Sequence, residues 1–127
     1  MLPETAEWVE IAEGDFLTAT REAAAEVPNF NAACFHAQQC IEKYLKALLV
    51  EHNVMFPKTH QLGALADLLP KASGDLEPIR SELARLSPYA IDVRYPRSGV
   101  DANEARQAVA DSATARAYLR GLLGLPV

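Results

Sequence analysis

The chain has 127 residues, a formal net charge of -5 at neutral pH, and a composition half hydrophobic but poor in aromatics. That length fits one domain with a real core, and an alanine- and leucine-rich mix suits packed helices better than a sheet. The acidic balance argues against broad, sequence-independent binding to nucleic acid, which needs a basic face, but leaves room for a local basic pocket.

The opening MLPETAEWVE lacks the basic flank and apolar run of a signal peptide. No stretch approaches the roughly 18 apolar residues of a membrane span, so a soluble, cytoplasmic protein is expected. A first helix is predicted from Pro3 to Glu26, with Trp8, Ile11, Phe16, Ala19 and Ala23 facing inward. Val27-Pro28-Asn29 ends it, because a proline pushes the preceding residue out of the helical region.

A second helix is predicted from Asn31 to Asn53, capped by Asn29 or Asn31. Ala37, Ile41, Tyr44, Leu45 and Leu48 share its apolar face. Cys34 and Cys40 lie on this helix, where six steps turn about 240° and rise about 9 Å, too far apart for a disulfide. They are expected to be reduced, semi-buried thiols.

Thr59 is the predicted cap of a third helix with the stripe Leu62, Leu65, Ala66 and Leu69. Asp75 is the predicted cap of a fourth, with Pro78 in its first turn and Ile79, Leu83 and Leu86 inside. At Ser87-Pro88 the fourth helix is expected to kink and run on to about Val93. Asp101 and Glu104 form a capping-box start to a fifth helix, carried to the C-terminus by Ala105, Ala108, Val109, Ser112, Leu119 and Leu122. No segment alternates with period two, so the expected fold is all-α. It is a single domain over residues 1–127, an antiparallel up-and-down bundle of four main helices plus a short one.

Three polar features stand out. Lys43 and Lys46 share one side of the second helix with Gln39 and Glu42, either as a solvated face with local ion pairs or as a phosphate-binding edge. His60, just after the Thr59 cap, either ties down its loop or sits where free helix-start amides favour an anion. Arg94, Tyr95 and Arg97 precede the fifth helix. They either add guanidinium groups to a small anion site or leave Arg94 paired with Asp92, Asp101 or Glu104. His36 and His52 are too far apart on one helix to share a metal, and no metal site or cofactor is expected. A Gly-rich phosphate loop, a zinc-protease motif and a nucleophile elbow are all missing from the sequence.

The ordered set of motifs resembles a known family. Ala37-x-Gln39-x-x-Glu42-Lys43-x-x-Lys46-Ala47-Leu48-Leu49 is followed by Lys58-Thr59-His60-x-Leu62 and then Arg94-Tyr95-Pro96, with Ala12-x-x-Asp15-Phe16-x-x-Ala19 in the first helix. This order resembles the HEPN family of small helical proteins. The resemblance implies a four- or five-helix bundle, often dimeric. In many members it also implies pairing with a separately encoded minimal nucleotidyltransferase, in a two-component or toxin–antitoxin system. Other members are metal-independent ribonucleases with an Arg-x(4–6)-His motif at a dimer interface. Here no His follows Arg94 at that distance; the stretch after it reads Tyr95-Pro96-Arg97-Ser98-Gly99-Val100-Asp101. The expectation is therefore a non-catalytic subunit that binds a nucleotide through Lys43, Lys46, His60, Arg94, Tyr95 and Arg97. It would partner a nucleotidyltransferase and form a homodimer, with RNA not the favoured ligand. A ribonuclease toxin with a degenerate motif and a purely structural dimerisation module are the alternatives.

Overall fold

The computed structural model describes residues 1–91, 93 and 99–127. Five α-helices run in the order α1 Pro3–Ala24, α2 Phe30–Glu51, α3 Leu62–Leu68, α4 Arg80–Leu86 and α5 Ala102–Leu122, and the chain is all-helical among the described residues. Short 3-10 turns cover Lys71–Ser73, Glu77–Ile79 and Ser87–Ala90.

Cross-helix bonds give the directions. Thr5 reaches Glu51 and Asp15 reaches His36, so α1 and α2 are antiparallel. Ser112 bonds to the Ala37 carbonyl and Arg120 to the Tyr44 hydroxyl, so α5 runs parallel to α2. Arg85 on α4 pairs with Asp111, while Tyr118 further along α5 meets the Asp75 carbonyl ahead of α4. That order makes α4 antiparallel to α5 and gives an up-down-up-down bundle, the expected architecture. Its lengths are less even than expected: α3 and α4 have seven residues each, against 22, 22 and 21 in α1, α2 and α5.

The central element is α2. Ala33, Cys34, Ala37, Cys40, Ile41, Tyr44, Leu45 and Leu48 are all buried on it, and so are Gln38, Gln39 and Glu42 on a further side. A helix closed in on most sides must pair the polar groups it buries. Both thiols are fully buried rather than half-exposed, and burial pushes Cys34 and Cys40 up to about 12. Neither thiol is a nucleophile in the folded chain.

Several boundaries differ from the expectations, each for a local reason. The α1 helix stops at Ala24, and its inner face is Thr5, Val9, Ala12 and Ala19 with Trp8, Phe16 and Ala23 partly buried. Ile11 lies outside, 51% exposed. Of the two candidate caps for α2, Asn29 accepts from the Ala32 N–H, whereas Asn31 accepts from Val100 N–H and ties down the start of α5. The second helix ends at Glu51, and Asn53 adopts a left-handed φ of 57°, which asparagine tolerates.

Thr59 does not cap α3. Its hydroxyl accepts from Gln61 N–H in a local turn, and α3 begins only at Leu62, whose N–H is taken by the Ser87 hydroxyl. Asp75 accepts from Glu77 N–H, but a 3-10 turn separates it from α4. Past α4, Ser87–Ala90 tightens into another 3-10 turn. The Asp101–Glu104 capping box is present with both reciprocal bonds. Among the described residues, no helix is long and apolar enough to cross a membrane.

Candidate functional site

The polar side of α2 converges on one buried carboxylate. Glu42 is 1% exposed. One turn back, Gln38 Nε2 donates to its Oε1 at 3.3 Å; one turn on, Lys46 Nζ donates to its Oε2 at 3.1 Å. Lys43 stands 3.6 Å from the same Oε2 and donates to Gln39 Oε1 at 2.6 Å. The contacts of Gln38 and Lys46 with Glu42, and of Lys43 with Gln39, follow from the helical repeat, because residues four apart lie one above the other.

His60 arrives from the loop before α3 and closes the cluster from outside. Its Nδ1 lies 2.9 Å from Glu42 Oε1, and its backbone carbonyl accepts from Gln38 Nε2 at 3.0 Å. Gln38 in turn accepts from Gln39 Nε2 at 2.7 Å. The loop is thus pinned by side chain and backbone together. Nδ1 is committed to Glu42, so any contact with a ligand falls to Nε2. Burial pushes the Glu42 carboxyl up, but the bonds from His60 and Lys46 and the charges of Lys46 and Lys43 outweigh it. The net effect holds Glu42 below its ordinary value, as an anion.

The two lysines differ. The Lys46 ammonium sits 5.7 Å from the ring centroids of both Trp8 and Phe56, which meet edge to face at 6.3 Å. Its side chain is 13% exposed, so it serves as the inner counter-ion of Glu42. Lys43 is enclosed to a similar degree, at 17%, and His60 is the open member of the set at 47%.

Lys43, Lys46 and His60, picked out from the sequence, are therefore brought together. Arg94, Tyr95 and Arg97 lie outside the described residues, as does Asp92. His60 belongs to a loop rather than to the positive end of a helix, since α3 starts beyond it. The sequence reading missed Glu42 as the organising centre and Gln38 as the strut to the loop. Their signal was the run of glutamines, glutamate and lysines at three- and four-residue steps.

A second polar network was also unforeseen. Tyr44, on the apolar face of α2, donates to Glu13, which accepts a bidentate pair from Arg116 at 2.7 and 2.6 Å; Arg120 donates to the Tyr44 hydroxyl at 2.9 Å. His36 is tied to Asp15 at 2.8 Å across the α1–α2 interface. Among the described residues, no group of three or more His, Cys, Asp or Glu gathers to hold a metal.

This bundle with its polar α2 edge has counterparts among known proteins. The sequence profile of the HEPN domain matches residues 5–122, and the chain belongs to that family. Among solved structures, the crystal structure of TT1696 from Thermus thermophilus is similar. Its TM-score is 0.84 at 22% identity, covering 95% of this chain and 99% of that one. ST0689, described as an archaeal HEPN homologue, is similar with a TM-score of 0.67 at 22% identity, covering 92% of this chain and 95% of that one. At that identity the likeness speaks for the fold. No curated protein matches the sequence.

Proposed function

We propose that this HEPN chain is a non-catalytic subunit that binds a nucleotide or nucleotide-like anion for a separately encoded nucleotidyltransferase. The observation that carries the reading is the cationic spot over Glu42. Lys43 and Lys46 against one carboxylate leave an excess positive charge, with His60 exposed beside them. On a chain of net charge -5, a small, pre-ordered positive spot suits one compact anion better than a nucleic-acid backbone. Lys43 supplies the ammonium for a phosphate and His60 a ring nitrogen for a neighbouring polar atom. Arg94, Tyr95 and Arg97 are assigned to the same ligand from the sequence, the arginines on phosphate and Tyr95 stacked on a base.

Titration calorimetry with nucleoside mono-, di- and triphosphates tests this. Lys43→Ala and Arg94→Ala are each expected to weaken binding about tenfold with little change in melting temperature. Absence of heat with every nucleotide overturns the binding role. A tagged pull-down from the host at near-physiological salt tests the partner. Recovery of a small nucleotidyltransferase in equal amount supports the pairing, and its absence removes it.

The His60–Glu42 pair also favours a second reading, because an imidazole held by a carboxylate is what a general base requires. In that reading the chain is a ribonuclease with a degenerate motif. RNA cleavage that survives EDTA and disappears in His60→Ala supports it; cleavage unchanged in His60→Ala sinks it. A purely structural dimerisation module predicts a dimer indifferent to nucleotide and inert toward RNA.

A further inference from the structure

A cavity of about 450 Å³ lies between the end of α3 and the start of α4 and shares no residue with the Glu42 cluster. Its size falls in the range of small-molecule pockets, about 300–1,000 Å³. Buried Ala66, Leu69 and Leu76 contribute an apolar lining. Two cations, Lys71 and Arg80, and three carboxylates, Asp67, Asp75 and Glu77, line it as well. The loop joining the two helices is held to α5 at two points. The Tyr118 hydroxyl donates to the Asp75 carbonyl, and Gly74 packs so closely on Leu122 that a Cβ would stand 3.0 Å from its Cδ1. Gly74 also has a φ of 152°, where a side chain is strained. The cavity is thus ordered before any ligand arrives, which favours binding.

Its charges are only partly paired within the chain. Arg80 bonds to Asp67 at 2.7 Å and to the Gly63 carbonyl at 3.3 Å, but a guanidinium has further N–H groups to give. Asp75 Oδ1 accepts from Glu77 N–H at 3.0 Å, and its second oxygen has no partner among the described residues. Lys71 and Glu77 have no ion-pair partner among the described residues and do not pair with each other. Opposite charges that line one cavity without meeting leave a gap that a ligand charged at both ends can bridge. We propose that this cavity is a binding site for a free α-amino acid with an apolar side chain. Glu77 and the second oxygen of Asp75 hold its ammonium, and Lys71 and the spare N–H groups of Arg80 hold its carboxylate. Its side chain covers Ala66, Leu69 and Leu76. A nucleotide or other polyanion is disfavoured, because three carboxylates outnumber two cations here. A simple amine leaves Lys71 unanswered, and a simple carboxylate leaves Glu77 so. The site is separate from the one at Glu42 both in place and in the charge it selects.

Titration calorimetry of the full chain with leucine at neutral pH tests this. Leucine is expected to bind. Leucinamide and the corresponding α-keto acid each lack one of its two charges and are expected to bind about tenfold more weakly. Alanine keeps both charges without the larger apolar side chain and is also expected to bind more weakly. Glu77→Gln and Lys71→Gln are each expected to weaken leucine binding about tenfold. Both side chains are exposed, so both variants are expected to keep the wild-type melting temperature. Absence of heat with leucine, isoleucine, valine and methionine up to about 10 mM overturns the proposal. So does leucine binding that persists unchanged in both variants, or an amide and a keto acid that bind as tightly as leucine.

Discussion

Glu42 shows how a single buried charge organises a surface. Its desolvation is offset only because Lys46, Lys43, His60 and Gln38 all address its two oxygens. Glu42→Gln removes the anion but leaves two lysines crowded against a neutral amide, and is expected to cost about 3 kcal/mol in urea unfolding. Lys46→Ala is expected to lower stability with a smaller effect on ligand binding, since its ammonium packs against both Trp8 and Phe56. Lys43→Ala should do the reverse. Measuring both unfolding and nucleotide affinity for the two variants separates the roles of the two lysines.

At the level of elements, helix ends and helix faces follow different rules. The α5 start is a local matter: Asp101 accepts from Glu104 N–H at 2.8 Å and Glu104 reaches back to Asp101 N–H. Asp101→Ala is expected to cost about 1 kcal/mol by thermal or urea unfolding. The α3 start is not local, because Ser87, 25 residues away, takes the Leu62 N–H. Ser87→Ala leaves that amide without its partner and is expected to cost about 1–2 kcal/mol. Gly14→Ala, by contrast, is expected to raise the stability of the monomer by about 0.5–1 kcal/mol, since its Cβ meets open space.

Over the whole molecule, Glu13 and Glu42 link stability to pH, with the more exposed Glu51 lowered in the same direction by Leu2 and Thr5. The bidentate bond from Arg116 to Glu13, helped by Tyr44 and the arginine charges, outweighs burial and holds that carboxyl below its ordinary value, as with Glu42. A carboxyl depressed in the folded state contributes stability above its unfolded value, here about 4.5, and loses that contribution as the pH falls through the folded value. Urea midpoints are therefore expected to be flat from pH 7 to about pH 5 and to fall below about 4.5, with a shallower fall in Glu42→Gln. The Glu13 network also joins α1, α2 and α5 through Tyr44. Removing the Tyr44 hydroxyl strips one donor from Glu13 and one acceptor from Arg120. Tyr44→Phe is expected to cost about 1–2 kcal/mol despite preserving the ring.

The all-helical class, the stripes of α2 and α3 and the capping box of α5 are legible in the chain itself, because apolar period and cap chemistry are local. The same holds for the family, which rests on motifs in a set order, and for the polar group on α2, whose members lie within one another's reach along a single helix. What tertiary structure alone decided is how those groups are partnered. Ile11 fits the apolar period of α1 yet faces out, and Thr59 has cap chemistry but turns back on Gln61. Lys46 reads as a surface cation and is enclosed by Trp8 and Phe56, which come from two distant parts of the chain. The reason is physical. Periodicity and capping act over a few residues, whereas burial and charge pairing depend on which helix comes to lie alongside, and that is settled only when the bundle closes.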